Sequence, residues 1–470
     1  MEPLLSRALP RLVIAGLSGD SGKTLVTVGL TLAVRARHMS VCAFKKGPDY
    51  IDAAWLAWAS EGAARNLDTH MMDGELVRST FVERGTTSGI NIVEGNRGLF
   101  DGSDARGTHS TAQIAKLLDA PIVLVVDCAK VTRTAAACVL GCQALDPDAR
   151  LAGVILNRVA GDRHERILRE AIENAGDVPV LGAWRRADGA LLPGRHLGLV
   201  PPAELPPVHE LKTKLTALAE SSLDIPRLVE LARQQRPVEA SPFPHQTRAP
   251  GPPVKVGYLH DSAFTFYYPE NLEALEAAGG ALVALSGLEA APFPADLSAL
   301  YIGGGFPETH AAALAANTGF LAALKRAADA GLPIYAECGG LMLLSQAIWW
   351  QGRRYPMAGV LPFEVEMHAR PQGHGYVQMV VDQPNAFFAE GTAIKGHEFH
   401  YSSVGAGADS VPTAAALGRG TGALAGRDAF VVKQTWASYT HLHATAMPQW
   451  APGVIAAARR FRRPSPRDQV

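Results

Sequence analysis

The sequence has few cysteines, little excess charge and no long apolar run. Its five cysteines among 470 residues include no Cys-x-x-Cys pair. This odd, scattered set does not fit a disulfide framework, so we expect a reducing, cytoplasmic environment. The formal net charge of −1 argues against a protein built to bind nucleic acid or an anionic membrane. No apolar stretch approaches the length that spans a bilayer, and residues 1–10 lack a signal-peptide core.

The chain is long enough for two or three domains, and 47% of its residues are hydrophobic, which is ample for globular cores. No internal repeat or coiled-coil heptad is apparent. Residues 236–253 contain many prolines and no apolar period, which predicts an interdomain linker. The alternative is a long surface loop within one domain. We therefore predict domains over 1–235 and 254–460, followed by a polar tail over 461–470.

Short apolar runs rich in Val and Ile alternate with segments long enough for helices. This pattern predicts an α/β fold whose mostly parallel strands are buried on both faces. The predicted strands are 12–15, 41–44, 90–93, 121–126 and 151–156, then 254–259, 281–285, 299–302 and 332–336.

A glycine-rich segment, GLSGDSGKT, lies between the first predicted strand and an apolar run that predicts a helix. In this context backbone N–H groups face an anion, the lysine neutralises it and the threonine can hold Mg²⁺. Five residues rather than the usual four separate its first glycine from the Gly-Lys-Thr. The alternative is a tight turn without a ligand, but the context favours an ATP or GTP site. The candidate residues are Gly16, Gly19, Ser21, Gly22, Lys23 and Thr24.

Acidic residues follow two further predicted strands, in KKGPDYID and VEGNRGLFDG. Because parallel strands end at one edge of a sheet, we expect Asp49, Glu94 and Asp101 near the glycine-rich segment. They could hold Mg²⁺ with Thr24 or position an acceptor against the γ-phosphate, or be ordinary loop carboxylates. Asp127 could be a further metal ligand or a helix cap. Asn157 could contact a purine ring or cap a helix.

A second candidate site is centred on Cys338, which lies between a predicted strand and an apolar helix in AECGGLM. The tight turn and the helix N-terminus predict an exposed, stabilised thiolate, although most free cysteines are structural. His441 and His443 are the candidate bases. The amides of Gly303, Gly304 and Gly305 are candidate oxyanion donors, and the set predicts acyl transfer through a thioester.

Three other histidines, His374, His397 and His400, are interpreted as ordinary polar residues. No carboxylate lies two residues after His441, because His443 occupies that position. The expectation is therefore a Cys–His pair without a third acid.

Nine segments, in this order, resemble the cobyrinic acid a,c-diamide synthases, which are glutamine-dependent amidotransferases of corrinoid biosynthesis. They span nearly the whole chain and read GLSGDSGKT, KKGPDYID, RNLD, VEGNRGLFDG, HLGLVPP, FYYPENLEAL, YIGGGFPE, AECGGLM and SYTHLH. The resemblance implies an N-terminal dethiobiotin synthetase-like P-loop domain that uses ATP and Mg²⁺ to phosphorylate a carboxylate. It implies a C-terminal class I glutamine amidotransferase-like domain that supplies ammonia.

The resemblance also implies residue roles. Cys338 matches the nucleophile and His441 its activating partner, Asp49, Glu94 and Asp101 match acidic positions of the synthetase site, and Tyr50 and Ile51 fall where the family would contact the tetrapyrrole. The expected partners are a tetrapyrrole and glutamine, with no nucleic acid and no membrane, and a homodimer is an expectation that the sequence does not test.

Three alternatives stay open at the level of sequence. A hydrogenobyrinate or sirohaem-type substrate is one, because Asn96-Arg97 departs from the family's apolar pattern and places a cation near the acceptor site. A regulatory P-loop NTPase with an inactive second domain is another. The third is an ATP-dependent ligase of a different acid, as in biotin synthesis, which would not need the second half.

Overall fold

The computed structural model describes residues 4–186, 192–195, 198–205, 209–244 and 251–461. Contacts divide the chain into two compact units, residues 1–244 and residues 245–470. In the described ranges, none of the helices has both the length and the apolarity needed to cross a bilayer.

The first unit is an α/β domain. Its strands are Leu5–Arg7 (β1), Arg11–Gly16 (β2), Val41–Lys46 (β3), Arg65–Leu67 (β4), Ile90–Gly98 (β5), Ile122–Asp127 (β6), Leu151–Val159 (β7), Val180–Arg185 (β8), Gly194–Arg195 (β9), Gly198–Leu199 (β10) and Val238–Ala240 (β11). Its α-helices are Lys23–Ala36 (α1), Ile51–Ser60 (α2), Gly74–Arg84 (α3), Thr111–Leu117 (α4), Arg133–Leu145 (α5), Asp162–Glu173 (α6), His209–Ser222 (α7) and Ile225–Arg233 (α8). A short 3₁₀ helix covers Pro202–Glu204.

Seven strands of this unit form a fully parallel sheet in the order β4-β3-β5-β2-β6-β7-β8. Every residue of β2 is buried, as expected for a central strand covered on both faces. Ile14 of β2, Val26 of α1, Val123 of β6 and Trp184 of β8 share one apolar core. The predicted parallel sheet is confirmed, and the carboxyl ends of β2, β3 and β5 lie side by side at one edge.

The predicted linker over 236–253 is wrong at its beginning. Val238–Ala240 form β11, which pairs antiparallel with β1, and Arg11 Nη1 donates to Arg236 O at 2.8 Å. Val238 and Ala240 are buried while Glu239 is exposed. The proline-rich segment therefore contains a short strand that its composition did not predict. Residues 245–250 and 462–470, which include most of the predicted tail, lie outside the described residues.

The second unit contains the remaining strands, Val254–Leu259 (β12), Gly280–Leu285 (β13), Ala299–Ile302 (β14), Ile334–Glu337 (β15), Ala347–Trp350 (β16), Arg353–Pro356 (β17), Val365–Met367 (β18), Gly373–Val381 (β19), Ala393–His400 (β20), Ser402–Val404 (β21), Thr413–Arg419 (β22), Arg427–Val432 (β23), Thr435–Ser438 (β24) and His441–Leu442 (β25). Its α-helices are Pro269–Ala277 (α9), Ala311–Ala316 (α10), Thr318–Asp329 (α11), Gly339–Leu344 (α12) and Trp450–Arg460 (α13), and a 3₁₀ helix covers Ala408–Ser410.

Ten strands of this unit form one mixed sheet in the order β13-β12-β14-β15-β24-β23-β22-β19-β20-β25. The strands from β13 to β24 run parallel to one another, and those from β24 to β25 pair antiparallel. A separate four-stranded sheet has the order β17-β16-β18-β21. The four predicted strands of this half are confirmed as β12 to β15, whereas the antiparallel part was not predicted.

Candidate active sites

The glycine-rich loop joins β2 to α1, as predicted. Gly22 is left-handed with a φ of 88°, and α1 begins at Lys23. Lys23 Nζ donates to Ser18 O at 3.1 Å, and Ser21 Oγ donates to the same carbonyl oxygen at 2.7 Å. A Cβ at Gly16 would lie 2.9 Å from Lys23 Nζ. The loop therefore encloses its lysine at a helix N-terminus, an arrangement that binds phosphate oxygens.

The buried Asn157 side chain lies against the same loop. Its Nδ2 donates to Ser21 O at 2.8 Å, and its Oδ1 accepts from Arg158 N at 2.9 Å. A Cβ at Gly22 would lie 2.1 Å from Asn157 Nδ2, so only glycine fits there. Asn157 therefore holds the loop and does not cap α6; its contact with a purine stays a prediction. Gly19 lies at the exposed tip of the loop.

Four polar side chains from separate elements meet behind the loop. Thr24 Oγ1 donates to Glu94 Oε1 at 2.8 Å. Lys45 Nζ donates to the same oxygen at 2.8 Å, to Asp52 Oδ2 at 2.7 Å and to Gly95 O at 3.0 Å. Glu94 and Lys45 are fully buried. The structure thus brings Thr24 and Glu94 together as predicted, and it adds Lys45 and Asp52 to the cluster.

The acidity of this cluster is set by burial and by the lysine. Burial raises the pKa of Glu94, against the effect of Lys45. Burial also raises the pKa of Asp52, but attraction and a hydrogen bond to Lys45, together with Lys23 and a hydrogen bond to Glu94, outweigh it, so the net pKa is lowered. For Asp49, burial and then the nearby Asp52 carboxylate raise the pKa to about 7. Asp49 Oδ1 also accepts from Asp52 N at 2.8 Å, which places Asp49 beside the cluster.

The donor set at this edge suits Mg²⁺, which prefers hydroxyl and carboxylate oxygens. Glu94 Oε2 is buried and accepts no hydrogen bond from the described residues. A bound cation would satisfy this oxygen and would also relieve the repulsion between Asp49 and Asp52. Thr24 and Glu94 therefore offer oxygens that suit a metal ion, and the metal role of Asp49 stays a prediction.

The other two acids have local partners. Asp101 Oδ2 accepts from Gly98 N at 2.9 Å, so this exposed carboxylate closes the turn after β5. Asp127 forms an ion pair with Arg158, and its Oδ1 accepts from Ala129 N at 2.9 Å. Asp127 is therefore engaged away from Thr24 and Glu94. The catalytic role of Asp101 stays a prediction.

The residues predicted to contact a substrate lie next to this cluster, at the start of α2. Tyr50 precedes the helix and Ile51 begins it, and Ile51 also packs against the apolar core. Lys46 is buried at the end of β3; burial and then repulsion from Lys45 lower its pKa. Its neighbours include Arg97, which is exposed and left-handed with a φ of 53°. This group of cations would attract an anionic acceptor.

In the second unit, Cys338 lies on a sharp turn between β15 and α12. Its φ is 49°, a strained conformation for a residue with a side chain. Its N–H donates to Ser438 O of β24 at 2.7 Å, which holds the turn in place. A Cβ at Gly340 would lie 2.5 Å from Ile302 O, so α12 approaches β14 too closely for any other residue. The predicted strand–turn–helix elbow is confirmed.

The prediction that this turn stabilises a thiolate is wrong for the resting structure. Burial raises the pKa of Cys338, and the nearby Glu308 raises it further. The Gly339 N–H bonds to the sulfur and lowers the pKa by less. The thiol form is therefore favoured, because the desolvation of the thiolate raises the pKa by more than the N–H groups of the helix N-terminus lower it. A base is needed to remove the proton.

The glycines of the predicted oxyanion site lie beside this elbow. A Cβ at Gly339 would lie 3.1 Å from Gly305 N and 3.4 Å from Gly304 C. The N–H of Gly303, however, donates to Tyr267 Oη at 2.8 Å. The prediction that the Gly303 N–H donates to an oxyanion is therefore wrong, because this N–H is already bonded to Tyr267. Gly304 and Gly305 are the two glycines of the set that adjoin the elbow.

His441 is the base candidate that reaches this glycine loop. A Cβ at Gly304 would lie 2.6 Å from His441 Cε1 and 3.4 Å from its Nε2. The ring stacks on His397, with centroids 4.9 Å apart and an interplanar angle of 18°. Its Nδ1 lies 3.6 Å from Glu337 Oε2. Gly304 thus contacts both His441 and the residue after Cys338, which supports His441 as the partner of the thiol.

His443 is engaged elsewhere. Its Nδ1 accepts from Thr445 N at 3.2 Å, so a neutral ring carries its proton on Nε2, which lies 3.6 Å from Glu270 Oε2. The ring also packs on Tyr268, with centroids 4.6 Å apart. These contacts assign His443 to a buried structural network.

Two of the three other histidines have ordinary roles. His400 Nδ1 bonds to Ser402 O at 2.8 Å, and His374 packs on Phe399 with centroids 4.6 Å apart. His397 differs because it stacks on His441, and sequence reasoning missed this contact. Asp52 and Glu337 were also missed, although both lie inside segments that the sequence singled out.

Comparison with known proteins gives two family matches. Residues 12–197 match the CobQ/CobB/MinD/ParA nucleotide binding domain, and residues 255–448 match the CobB/CobQ-like glutamine amidotransferase domain. A Magnetococcus marinus protein named cobyrinate a,c-diamide synthase is 42% identical over 94% of this chain and 96% of its own length. A protein of the same name from Syntrophotalea carbinolica is 45% identical over 84% and 86%. A Streptomyces coelicolor protein named hydrogenobyrinate a,c-diamide synthase is 39% identical over 97% of both chains.

The fold, the two sites and the two matches define a class of enzyme in which a P-loop nucleotide-binding domain is joined to a glutamine amidotransferase domain. The predicted fold class is thereby confirmed. Because such relatives align over nearly its whole length, the chain belongs to the cobyrinate a,c-diamide synthase family.

Proposed function

We propose that this chain uses ATP and glutamine to amidate the a and c carboxylates of the corrin cobyrinate. The observation that carries the proposal is that one chain holds both a P-loop with an acidic cluster and a cysteine elbow with a histidine beside its glycine loop. The names of the relatives support the choice of substrate. Glutamate, ADP and phosphate are the expected co-products.

The first site would activate the acceptor. A carboxylate does not react with ammonia at a useful rate, so its oxygen first takes the γ-phosphoryl group of ATP, and the acyl phosphate then offers a good leaving group. Lys23 and the loop amides would bind the phosphates and stabilise the charge that develops on them. Mg²⁺, held by Thr24, Glu94 and Asp49, would supply further neutralisation when bound. Asp101, Tyr50 and Ile51 would contribute to acceptor binding.

The second site would supply ammonia. His441 Nε2 takes the Cys338 proton, and the sulfur attacks the side-chain carbonyl of glutamine, whose oxyanion Gly304 and Gly305 would stabilise. The C–N bond breaks, and the departing ammonia takes the proton from His441. Water then hydrolyses the thioester to glutamate and restores the thiol.

A second candidate substrate is hydrogenobyrinate, because the Streptomyces coelicolor relative bears that name. A sirohaem-type substrate stays an alternative because of Arg97. In each case the binding partners are a tetrapyrrole and glutamine, and neither nucleic acid nor a membrane is expected to bind. Light scattering would test the predicted homodimer. An inactive second domain is disfavoured by the contacts of Cys338 and His441.

The test is to incubate the full chain with ATP, Mg²⁺ and glutamine, offering cobyrinate, hydrogenobyrinate or sirohaem, and to count amidations by mass spectrometry. Cys338→Ser should lose amidation with glutamine and keep it with ammonium salts. Cys138→Ser, on α5 of the other unit, is the matched control and should keep both. If wild type releases no glutamate from glutamine, or alters none of the three macrocycles, the proposal fails.

A further inference from the structure

Glu337 is a buried carboxylate that the mechanism above does not use. It ends β15 and directly precedes Cys338, and its side chain is fully buried. Its Oε1 accepts from Leu442 N at 3.2 Å, and its Oε2 accepts from Tyr301 Oη at 3.0 Å. A buried carboxylate is costly unless it is well bonded. These two bonds fix its orientation between β14, β15 and β25.

The same Oε2 atom lies 3.6 Å from His441 Nδ1. The His441 ring is bounded by His397 on one face and by Gly304 at its Cε1–Nε2 edge. Nδ1 therefore points to Glu337 while Nε2 points to the glycine loop beside the cysteine elbow. This is the orientation that a base needs when it carries a proton on one nitrogen and accepts on the other.

We propose that Glu337 is a positioning residue for glutamine hydrolysis, whose carboxylate holds His441 in place and stabilises the imidazolium formed when Nε2 accepts the Cys338 proton. The inference rests on the proposed function, since it concerns the same ammonia-releasing step. It replaces the predicted Cys–His pair by a chain of three groups in which the acid comes from the residue before the nucleophile.

The other buried carboxylates near this site have different tasks. Asp428 accepts from the backbone N–H groups of Tyr439 and Thr440 and from Thr440 Oγ1. Glu398 accepts from the N–H groups of Thr421 and Gly422. Glu270 lies beside His443. Glu337 is the carboxylate whose contact with His441 the geometry supports.

Several titratable groups surround the His441 ring. Glu337 faces it from β15 and His397 from β20, with Tyr301 of β14 behind Glu337 and His443 two residues farther along the chain. Burial, and then the neighbouring His441 and His443, hold the pKa of His397 well below its usual range. His397 is therefore neutral at working pH and adds no charge beside the His441 ring.

The test compares Glu337→Gln with wild type in the full chain. We expect kcat/KM for glutamine hydrolysis to fall by about 100-fold or more, with ammonia-dependent amidation unchanged. An anion raises the pKa of a nearby imidazolium. Because His441 must be neutral to accept the Cys338 proton, the acidic limb of the pH profiles of kcat and of kcat/KM for glutamine hydrolysis should move to lower pH in the variant.

Glu270→Gln is the matched control, because it removes an equally buried carboxylate from His443; it should leave both profiles in place. If Glu337→Gln does not fold, Tyr301→Phe removes one bond to the carboxylate and should give a smaller shift in the same direction. The inference fails if Glu337→Gln folds and shows the pH profiles and rates of wild type. If Glu337→Gln does not fold, the same result in a folded Tyr301→Phe would overturn it. Glutamine hydrolysis without corrin amidation by wild type would instead overturn the proposed substrate and leave this result standing.

Discussion

The ammonium group of Lys45 holds together two carboxylates of the first unit. It is fully buried and contacts Glu94 at 2.8 Å and Asp52 at 2.7 Å. Although burial opposes ionisation, attraction to Asp52 and Glu94 raises the pKa of Lys45. The cation is therefore retained, and it favours the ionised form of both carboxylates. Lys45 thus determines the charge of the cluster before any nucleotide binds.

Lys45→Met should destabilise the first unit by about 3 kcal/mol, because it leaves buried carboxylates without their cation. Calorimetric unfolding of the full chain measures the loss. The matched control is Lys255→Met, which removes a half-exposed ion pair with Asp296 and should cost at most about 1 kcal/mol. Equal losses in the two variants would contradict the account of Lys45.

At the level of residues, the sequence predicts those whose spacing carries the chemistry. Gly22, Lys23 and Thr24 are recognisable because a phosphate loop needs them consecutively. Glu337 was not recognised, because its contact with His441 joins distant parts of the chain and no spacing rule marks it. The thiolate of Cys338 was predicted wrongly, since sequence shows the helix N-terminus but not the depth of burial.

Elements buried on both faces were the easiest to predict. The strands β2, β3, β5, β6 and β7 each contain a short run rich in Val, Ile or other apolar residues, and its shortness and its flanking turn residues favour a buried strand over a helix. The antiparallel strands β19 to β23 were missed because they mix exposed and buried residues with glycines. The strand β11 was missed because three residues are too few to show an alternation of apolar and polar side chains.

Two glycines in helices should respond oppositely to alanine. Gly340 of α12 has no room for a Cβ beside Ile302 O, so Gly340→Ala should lower stability by about 1–3 kcal/mol. Gly141 is exposed in the middle of α5, with no atom within 4 Å of its Cβ position, so Gly141→Ala should raise stability by about 0.5–1 kcal/mol. Thermal unfolding distinguishes them, and a shift of the same sign in both would contradict the packing described for α12.

For the molecule as a whole, the two units contain separate sets of reactive groups. Lys23 and Glu94 belong to the first unit, and Cys338 and His441 belong to the second. The division was predictable because each half has its own series of apolar strands and its own motif. Its position between residues 244 and 245 falls inside the predicted linker over 236–253, although β11, which pairs with β1, extends the first unit past residue 235.

Lys23→Ala should therefore abolish amidation with either glutamine or ammonia, because the phosphates lose their cation, while basal release of glutamate from glutamine persists. The rates of ADP and glutamate formation, measured on the same preparation, check this. Lys255→Ala serves as the surface control and should keep both rates. Parallel loss of both activities in Lys23→Ala would show that the two sites do not act separately.

The order of strands in the ten-stranded sheet has a consequence for biosynthesis. β24 is among the last strands to be made, yet it lies between β15 and β23, and its Ser438 carbonyl holds the Cys338 turn. A nascent chain on the ribosome thus carries the cysteine long before the strand that shapes its turn and before the histidine proposed as its base. Such a chain lacks both parts of the proposed glutaminase site, so incomplete or truncated products would not consume the cell's nitrogen donor.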